Sequence, residues 1–158
     1  MSQDRFTFLS VDVTSTLICV VGASYNPELV DALLESTCDS LSGHGVPAEN
    51  VEVVRVPGSF EIPVVVNEMA LSGKFHAVIA LGVVIAGDTS HHELIGSTTA
   101  KALLDVATRT RTPVVNGILV VENEGQAEAR ILGDQARGTE FAQTALQMAV
   151  IKRSWIQS

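Results

Sequence analysis

Ala77-Val78-Ile79-Ala80-Leu81-Gly82-Val83-Val84-Ile85 runs without a charge into Ala86-Gly87-Asp88-Thr89-Ser90, and then into His91-His92-Glu93. The first nine residues are apolar almost throughout and rich in β-branched side chains, the pattern of a parallel strand covered on both faces. From Ser90 to Thr108 the spacing becomes helical, so the stretch predicts a strand, a tight turn and a helix. Three further runs, Leu17–Ala23, Val51–Val56 and Val114–Val121, predict strands of the same kind. Pro27–Leu41 places Leu29, Val30, Leu33, Leu34 and Leu41 on one side of a helix. Asn26 is its expected N-cap, Pro27 its first residue, and Gly43 and Gly45 its stop signals. Glu124–Arg130 predicts a short helix behind an Asn123 cap, and Gly138–Ile156 a final amphipathic one.

Ser59–Leu71 carries two signals. Val64-Val65-Val66 favours a strand, yet Pro63 forbids a central one. Ser59 followed by Phe60-Glu61-Ile62-Pro63 fits a capped first turn, so the segment is read as helix. The resulting order, βαβαβαβαα, predicts an α/β fold: a parallel sheet with helices on both faces and right-handed crossovers. Its 158 residues suit one domain, and no linker or repeat divides the chain.

A hydrophobic content of 46% with 18% charged residues excludes a disordered polyelectrolyte. Ten Lys and Arg against 18 Asp and Glu give a formal net charge of −8, which argues against nucleic-acid and basic membrane-surface partners. An anionic ligand then needs a local pocket of donors. Met1–Ser10 is polar, with Asp4 and Arg5, and has no apolar core of signal-peptide length. Ala77–Gly87 falls far short of the ~20 residues that span a bilayer. Cys19 and Cys38 lack metal-site or redox spacing and read as buried thiols in a reducing, cytoplasmic setting.

In such sheets ligands gather at the carboxyl ends of the strands. The first end, Ala23-Ser24-Tyr25-Asn26-Pro27, lacks a phosphate loop. It is either a capped turn with a half-buried ring or a stacking platform for a flat heterocycle. At the second, Val56-Pro57-Gly58-Ser59-Phe60-Glu61-Ile62-Pro63, Pro-Gly breaks the strand beside a hydroxyl and a carboxylate. Glu61 is favourable at a helix start without any ligand, and can also accept hydrogen bonds from a polyol. At the third, the Gly87-Asp88-Thr89-Ser90 turn gathers free N–H groups and a hydroxyl at a helix start, a geometry that suits phosphate. Asp88 opposes an anion unless its carboxylate turns away as the cap. His91 and His92 fall in the first helical turn, where the dipole favours a neutral imidazole able to shuttle protons. The fourth runs from Asn116-Gly117 to Glu122-Asn123-Glu124, with Gln126 and Arg130 beyond. Arg130 reads as surface charge or as an anion partner, and Arg137-Gly138 adds a second candidate cation. HExxH, CxxC, GxGxxG and GxSxG are all absent, so metal, dinucleotide and nucleophile-elbow chemistry lose their usual support.

Taken in order from Leu17 to Met148, these segments resemble the lumazine synthase family. The resemblance rests on VPGxFEIP at Val56–Pro63, on Gly-Asp-Thr-x-His at Gly87–His91, and on GILxxENxxQAxxR at Gly117–Arg130. The closing Arg137-Gly138…Ala145-Leu146-Gln147-Met148 helix matches too. The resemblance implies a three-layer αβα sandwich with flavodoxin-like strand order 2-1-3-4 and an N-terminal arm at residues 1–15. It also implies a cofactor-free condensation of a ribitylamino-aminouracil with dihydroxybutanone phosphate to dimethyl-ribityllumazine, the penultimate step of riboflavin synthesis. By position, Tyr25 would stack on the pyrimidine with Asn26 following. Ser59, Phe60 and Glu61 would line the ribityl and pyrimidine site, and Val83, Val84 and Ile85 would border the heterocycle. Gly87, Asp88 and Thr89 would cradle the phosphate, His91 would move protons, Arg130 would pair with the phosphate, and Asn116 and Arg137 would complete the substrate site. The expected partners are small-molecule substrates and further copies of the chain, as a pentamer or a 60-subunit shell, with riboflavin synthase as an allowed further partner.

Several positions depart from the family pattern. Ala86 stands where Arg or Lys is usual, Asn116 replaces an aromatic, His92-Glu93 replaces an aromatic-acid pair, and Arg137 replaces Lys. Ser59 stands for Ala or Gly, and the Gly133–Gly138 loop is about a residue short. Two alternatives remain at this point: a weakly catalytic lumazine- or flavin-binding paralogue, and a pentameric-type riboflavin synthase.

Overall fold

The computed structural model describes residues 11–134 and 137–156. Met1–Ser10 of the expected N-terminal arm lies outside them, as do Gln135 and Ala136 in the Gly133–Gly138 loop. In chain order the elements are β1 (Ile18–Ala23), α1 (Pro27–Gly43), β2 (Val51–Val56), α2 (Ile62–Leu71), β3 (Ala77–Ile85), α3 (His91–Thr110), β4 (Val114–Val121), α4 (Glu124–Ile131) and α5 (Arg137–Ile156). Short 3₁₀ turns at Ala48–Asn50 and Ser59–Glu61 precede β2 and α2.

The strands form one parallel sheet in the order β2-β1-β3-β4, as expected. Strand side chains alternate between two cores. Ile18, Val20, Ile79, Leu81, Val115 and Leu119 pack with Leu33 of α1, Ala127 of α4 and Leu146 of α5. Cys19, Val21, Val78, Ala80 and Ile118 pack with Val66 of α2 and Leu103 of α3 on the other face. Every residue of β1 is buried, because β1 has neighbours on both sides and helices on both faces. The expectation of two-sided cover fails for β2: Glu52, Val53 and Arg55 are exposed. It is an edge strand, and its apolar sequence misreads as central because Val53 faces solvent.

Other boundaries move for local reasons. The first strand begins at Ile18 and not Leu17, because the Leu17 N–H donates to His76 Nδ1 (2.9 Å) and its carbonyl accepts from His76 N (2.8 Å). Helix α1 runs through Gly43, and it is Gly45, at φ 103°, that turns the chain away. Helix α3 extends to Thr110 and stops at Arg111, which holds a left-handed φ of 56°. The final helix opens at Arg137. Both cysteines are free, and burial pushes the Cys19 thiol up to about 12, which leaves it inert.

Candidate functional site

Because all four strands are parallel, their carboxyl ends lie along one edge, and the segments that follow them form a common rim. Backbone bonds tie that rim together. Ser24 N–H donates to Val56 O (2.8 Å) and Tyr25 N–H to Pro57 O (3.1 Å), joining the first two segments. Ala86 N–H donates to Val121 O (2.8 Å), joining the last two.

Asn26 joins the halves. It precedes α1 in a left-handed conformation (φ 53°, ψ 58°), but its side chain does not cap the helix as the sequence predicts. Its Nδ2 donates instead to Val83 O at 2.8 Å. The β1–β3 ladder ends at Gly22 opposite Leu81, whereas β3 runs on to Ile85. The amide therefore takes over at the first carbonyl that β1 no longer reaches. This bond lies at the switch point between β1 and β3, where open α/β sheets bind ligands. Tyr25, next to Asn26 in the chain, is 75% exposed, which fits a platform and not a half-buried turn residue.

In the second segment the expected Ser59 cap is also replaced. Gly58 is the N-cap of the 3₁₀ turn, and Glu61 Oε2 reaches back to accept its N–H at 2.9 Å. Ser59 is buried against β3: a Cβ built on Gly82 would sit 2.4 Å from Ser59 Oγ. Only a glycine in β3 lets this turn close onto the sheet, and a lone glycine inside an apolar strand is the sequence signal for such a close approach. Phe60 is left 63% exposed beside Glu61.

In the third segment Val83 is buried in the α1-side core, while Val84 packs towards α2 and α3. Successive strand side chains point to opposite faces, so Val83, Val84 and Ile85 do not share one surface. Val83 serves the rim through its carbonyl. Gly87, Asp88 and Thr89 are exposed ahead of the N-cap Ser90, and neither Asp88 nor Ser90 makes a side-chain cap bond. Thr89 Oγ1 accepts from His91 N–H (3.4 Å), and the His91 ring is exposed. His92 is the better-held ring. Its Nδ1 contacts Thr89 O (3.2 Å), its Nε2 lies 3.9 Å from Glu122 Oε1, and its side chain is 10% exposed.

The fourth segment divides. Asn123 Oδ1 caps α4 by accepting Gln126 N–H (2.9 Å), as predicted, and Gln126 Oε1 returns a bond to Glu122 N–H (3.0 Å). Arg130 is half-buried with Nη1 towards Gln126 O (3.4 Å), and has no carboxylate partner among the described residues. Asn116 does not reach the rim. It lies opposite Ala80, whereas the ladder ends at Ile85 opposite Val121, about 16 Å further along at the usual strand rise. Arg137 makes no hydrogen bond or ion pair with a rim residue among the described residues, and its neighbour Gly138 packs directly on Ser36 of α1. Arg137 pairs with Glu140 (2.8 Å), and its buried Nε has no hydrogen-bond partner among the described residues.

The described residues hold no His, Cys, Asp or Glu cluster fit for a metal, and no helix among them is long and apolar enough to cross a membrane. Fold and rim together define a doubly wound α/β protein whose candidate small-molecule site is the β1/β3 switch point. Residues 15–153 match the family described as 6,7-dimethyl-8-ribityllumazine synthase. A protein of that name from Xylella fastidiosa (strain M12) is 43% identical over 130 residues, 82% of this chain and 84% of the relative. One from Thermococcus gammatolerans is 43% identical over 134 residues, 85% and 86% of the two chains. One from Xanthomonas euvesicatoria pv. vesicatoria is 39% identical over 136 residues, 85% and 88%. The chain belongs to the 6,7-dimethyl-8-ribityllumazine synthase family.

Proposed function

We propose that the chain condenses a ribitylamino-aminouracil with dihydroxybutanone phosphate, forming dimethyl-ribityllumazine, phosphate and water in riboflavin synthesis. The observation that carries this reading is the convergence of Tyr25, Phe60–Glu61, Gly87–Thr89 and His91 on one rim, in a chain of this family. Tyr25 stacks on the pyrimidine, while Ser59, Phe60 and Glu61 meet the ribityl chain and ring. The N–H groups of Gly87–Thr89, at the head of α3, receive the phosphate with the exposed, non-capping Asp88 carboxylate turned to solvent, and Arg130 adds a cation. The amine adds to the ketone and loses water to give an imine. Phosphate is eliminated to leave an enol that tautomerises to a ketone. The second amine attacks that carbonyl and closes the ring with loss of a second water. His91 moves protons between nitrogen and oxygen at these steps. No cofactor is required, because most of the gain comes from holding two reactants in register.

The site is shared between chains. Asn116 lies about 16 Å short of its own rim, but a neighbouring copy can present Asn116, Arg130 and Arg137 across the boundary. Exposed Phe60, Val64, Leu94 and Leu104 on the α2–α3 side give such a contact its apolar area. A head-to-tail contact of this kind closes into a ring. Five copies of the 16.7 kDa chain make a species of about 84 kDa, and twelve rings a shell near 1 MDa. The enzyme works in the cytoplasm on free substrates. The binding-only paralogue and the riboflavin synthase are disfavoured by relatives that carry the synthase name, and by an anion turn that a phosphate-free substrate would leave unused.

The purified protein is mixed with both substrates and followed by lumazine fluorescence and phosphate release, with light scattering on the same sample. Equal rates with and without protein would overturn the enzyme, and an active monomer would overturn the shared site.

A further inference from the structure

Two adjoining cavities lie at the opposite end of the sheet from the rim, where the ends of α2 and α3 meet α5. The first, about 330 Å³, is lined by Ala70, Leu71, Thr110, Thr112, Lys152 and others. The second, about 360 Å³, is lined mainly by Ala107, Pro113 and Met148. Both share Arg111 and Trp155. One cavity thus offers hydroxyls and an ammonium, the next an apolar wall, and an indole stands between them.

The charges here are unusual for a chain of net charge −8. Half of its ten Lys and Arg residues, namely Lys74, Arg109, Arg111, Lys152 and Arg153, come from the turns and helix ends at this pole. Among the described residues, neither Lys152 nor Arg111 has a carboxylate within ion-pair distance. Lys152 Nζ donates to Thr112 Oγ1 (3.2 Å) and Phe75 O (3.3 Å). An ammonium has three hydrogens, so one remains for the cavity it lines. Burial holds this lysine below its usual range, and an anion beside it would offset that effect. Arg111 sits at the end of α3 with φ 56°, where glycine is the ordinary choice. Its guanidinium lies 5.8 Å from the centroid of the Trp155 ring.

The geometry points to a second ligand site, distinct from the rim, that takes a flat aromatic molecule bearing one anionic group. The anion sits between Lys152, Thr112 and Arg111; the ring lies along Trp155 towards Pro113 and Met148. No group at this pole takes part in the condensation proposed for the rim, so the two readings stand or fall separately.

Trp155 is the single tryptophan of the chain, so its emission reads the site directly. The probe is naphthoate, with naphthamide as its neutral counterpart, titrated calorimetrically and by tryptophan fluorescence into the intact protein. Naphthoate is expected to bind saturably, one per chain, with a change in Trp155 emission, and naphthamide about tenfold more weakly. Lys152→Gln and Arg111→Asn should each weaken naphthoate by about tenfold. Arg111 is exposed and asparagine tolerates its backbone angles, so that variant keeps the fold. Both variants should make lumazine at the rate of the unmodified protein. Absent saturable binding, equal affinity for acid and amide, or binding that both variants retain with Trp155 emission unchanged would each overturn the site.

Discussion

Replacing Asn26 tests whether one side chain holds the switch point together. Two effects are separable there, the left-handed backbone at φ 53° and the 2.8 Å bond from Nδ2 to Val83 O. Asn26→Gly keeps the backbone conformation easy and removes only the amide. The bond is worth about 1 kcal/mol, and a buried carbonyl left without a partner costs about 1–3 kcal/mol. Asn26→Ala removes the same bond and adds about 1–2 kcal/mol for a left-handed alanine. Asn26→Asp keeps shape and backbone but sets an acceptor against the Val83 carbonyl, so it should be at least as damaging as glycine. The assay is urea unfolding at one fixed protein concentration, because association contributes to apparent stability. With a slope of about 1–3 kcal/mol/M, alanine should unfold roughly 0.3–2 M below glycine, and glycine below asparagine. In folded samples of all three, the Michaelis constant for the pyrimidine substrate should rise, since Tyr25 is carried on this turn. Coincident midpoints for alanine and glycine would refute the left-handed constraint. An aspartate variant as stable as the parent would refute the bond to Val83.

His91→Ala should lower turnover by about 10²–10⁴-fold where proton transfer limits the rate, with circular dichroism and unfolding midpoint unchanged. An equal loss from His92→Ala alone would transfer the proton role to the ring that touches Thr89. Ala86→Arg places a cation beside the turn proposed to receive the phosphate. It should lower the Michaelis constant for the phosphorylated substrate by roughly tenfold, which steady-state kinetics would read. Burial, with Arg153 and Lys152 nearby, holds His76 below the usual histidine range, and a protonated ring cannot accept the Leu17 N–H. The stability it supplies is therefore complete above about pH 6.5 and lost as pH falls through its lowered folded value. Urea midpoints measured from pH 7.5 down to about 5 should decline more steeply for the parent than for His76→Asn, which does not titrate.

The sequence by itself determined the layering. Continuous apolar runs at Ile18–Ala23 and Ala77–Ile85, separated by helices of amphipathic spacing, leave little choice but a parallel sheet covered on both faces. It determined the Asn123 cap as well, because cap, helix start and partner lie within four residues. The rim's membership was legible for a similar reason: every candidate but Asn116, Arg130 and Arg137 lies on a strand's carboxyl end or just after one. Tertiary structure decided which contacts those residues make. Asn26 reads as a cap because the partner it prefers, Val83 O, is 57 residues away. Ser59 reads as a cap because nothing local announces that Gly82 leaves room for it. The distance of Asn116 from the rim follows from strand register, which is set by packing across the sheet and not by the residues beside it. Local pattern fixes what a segment becomes, because helix and strand periodicities repeat within a few residues. Which groups meet is settled only when distant strands pair, since that pairing depends on how both faces of the sheet fill.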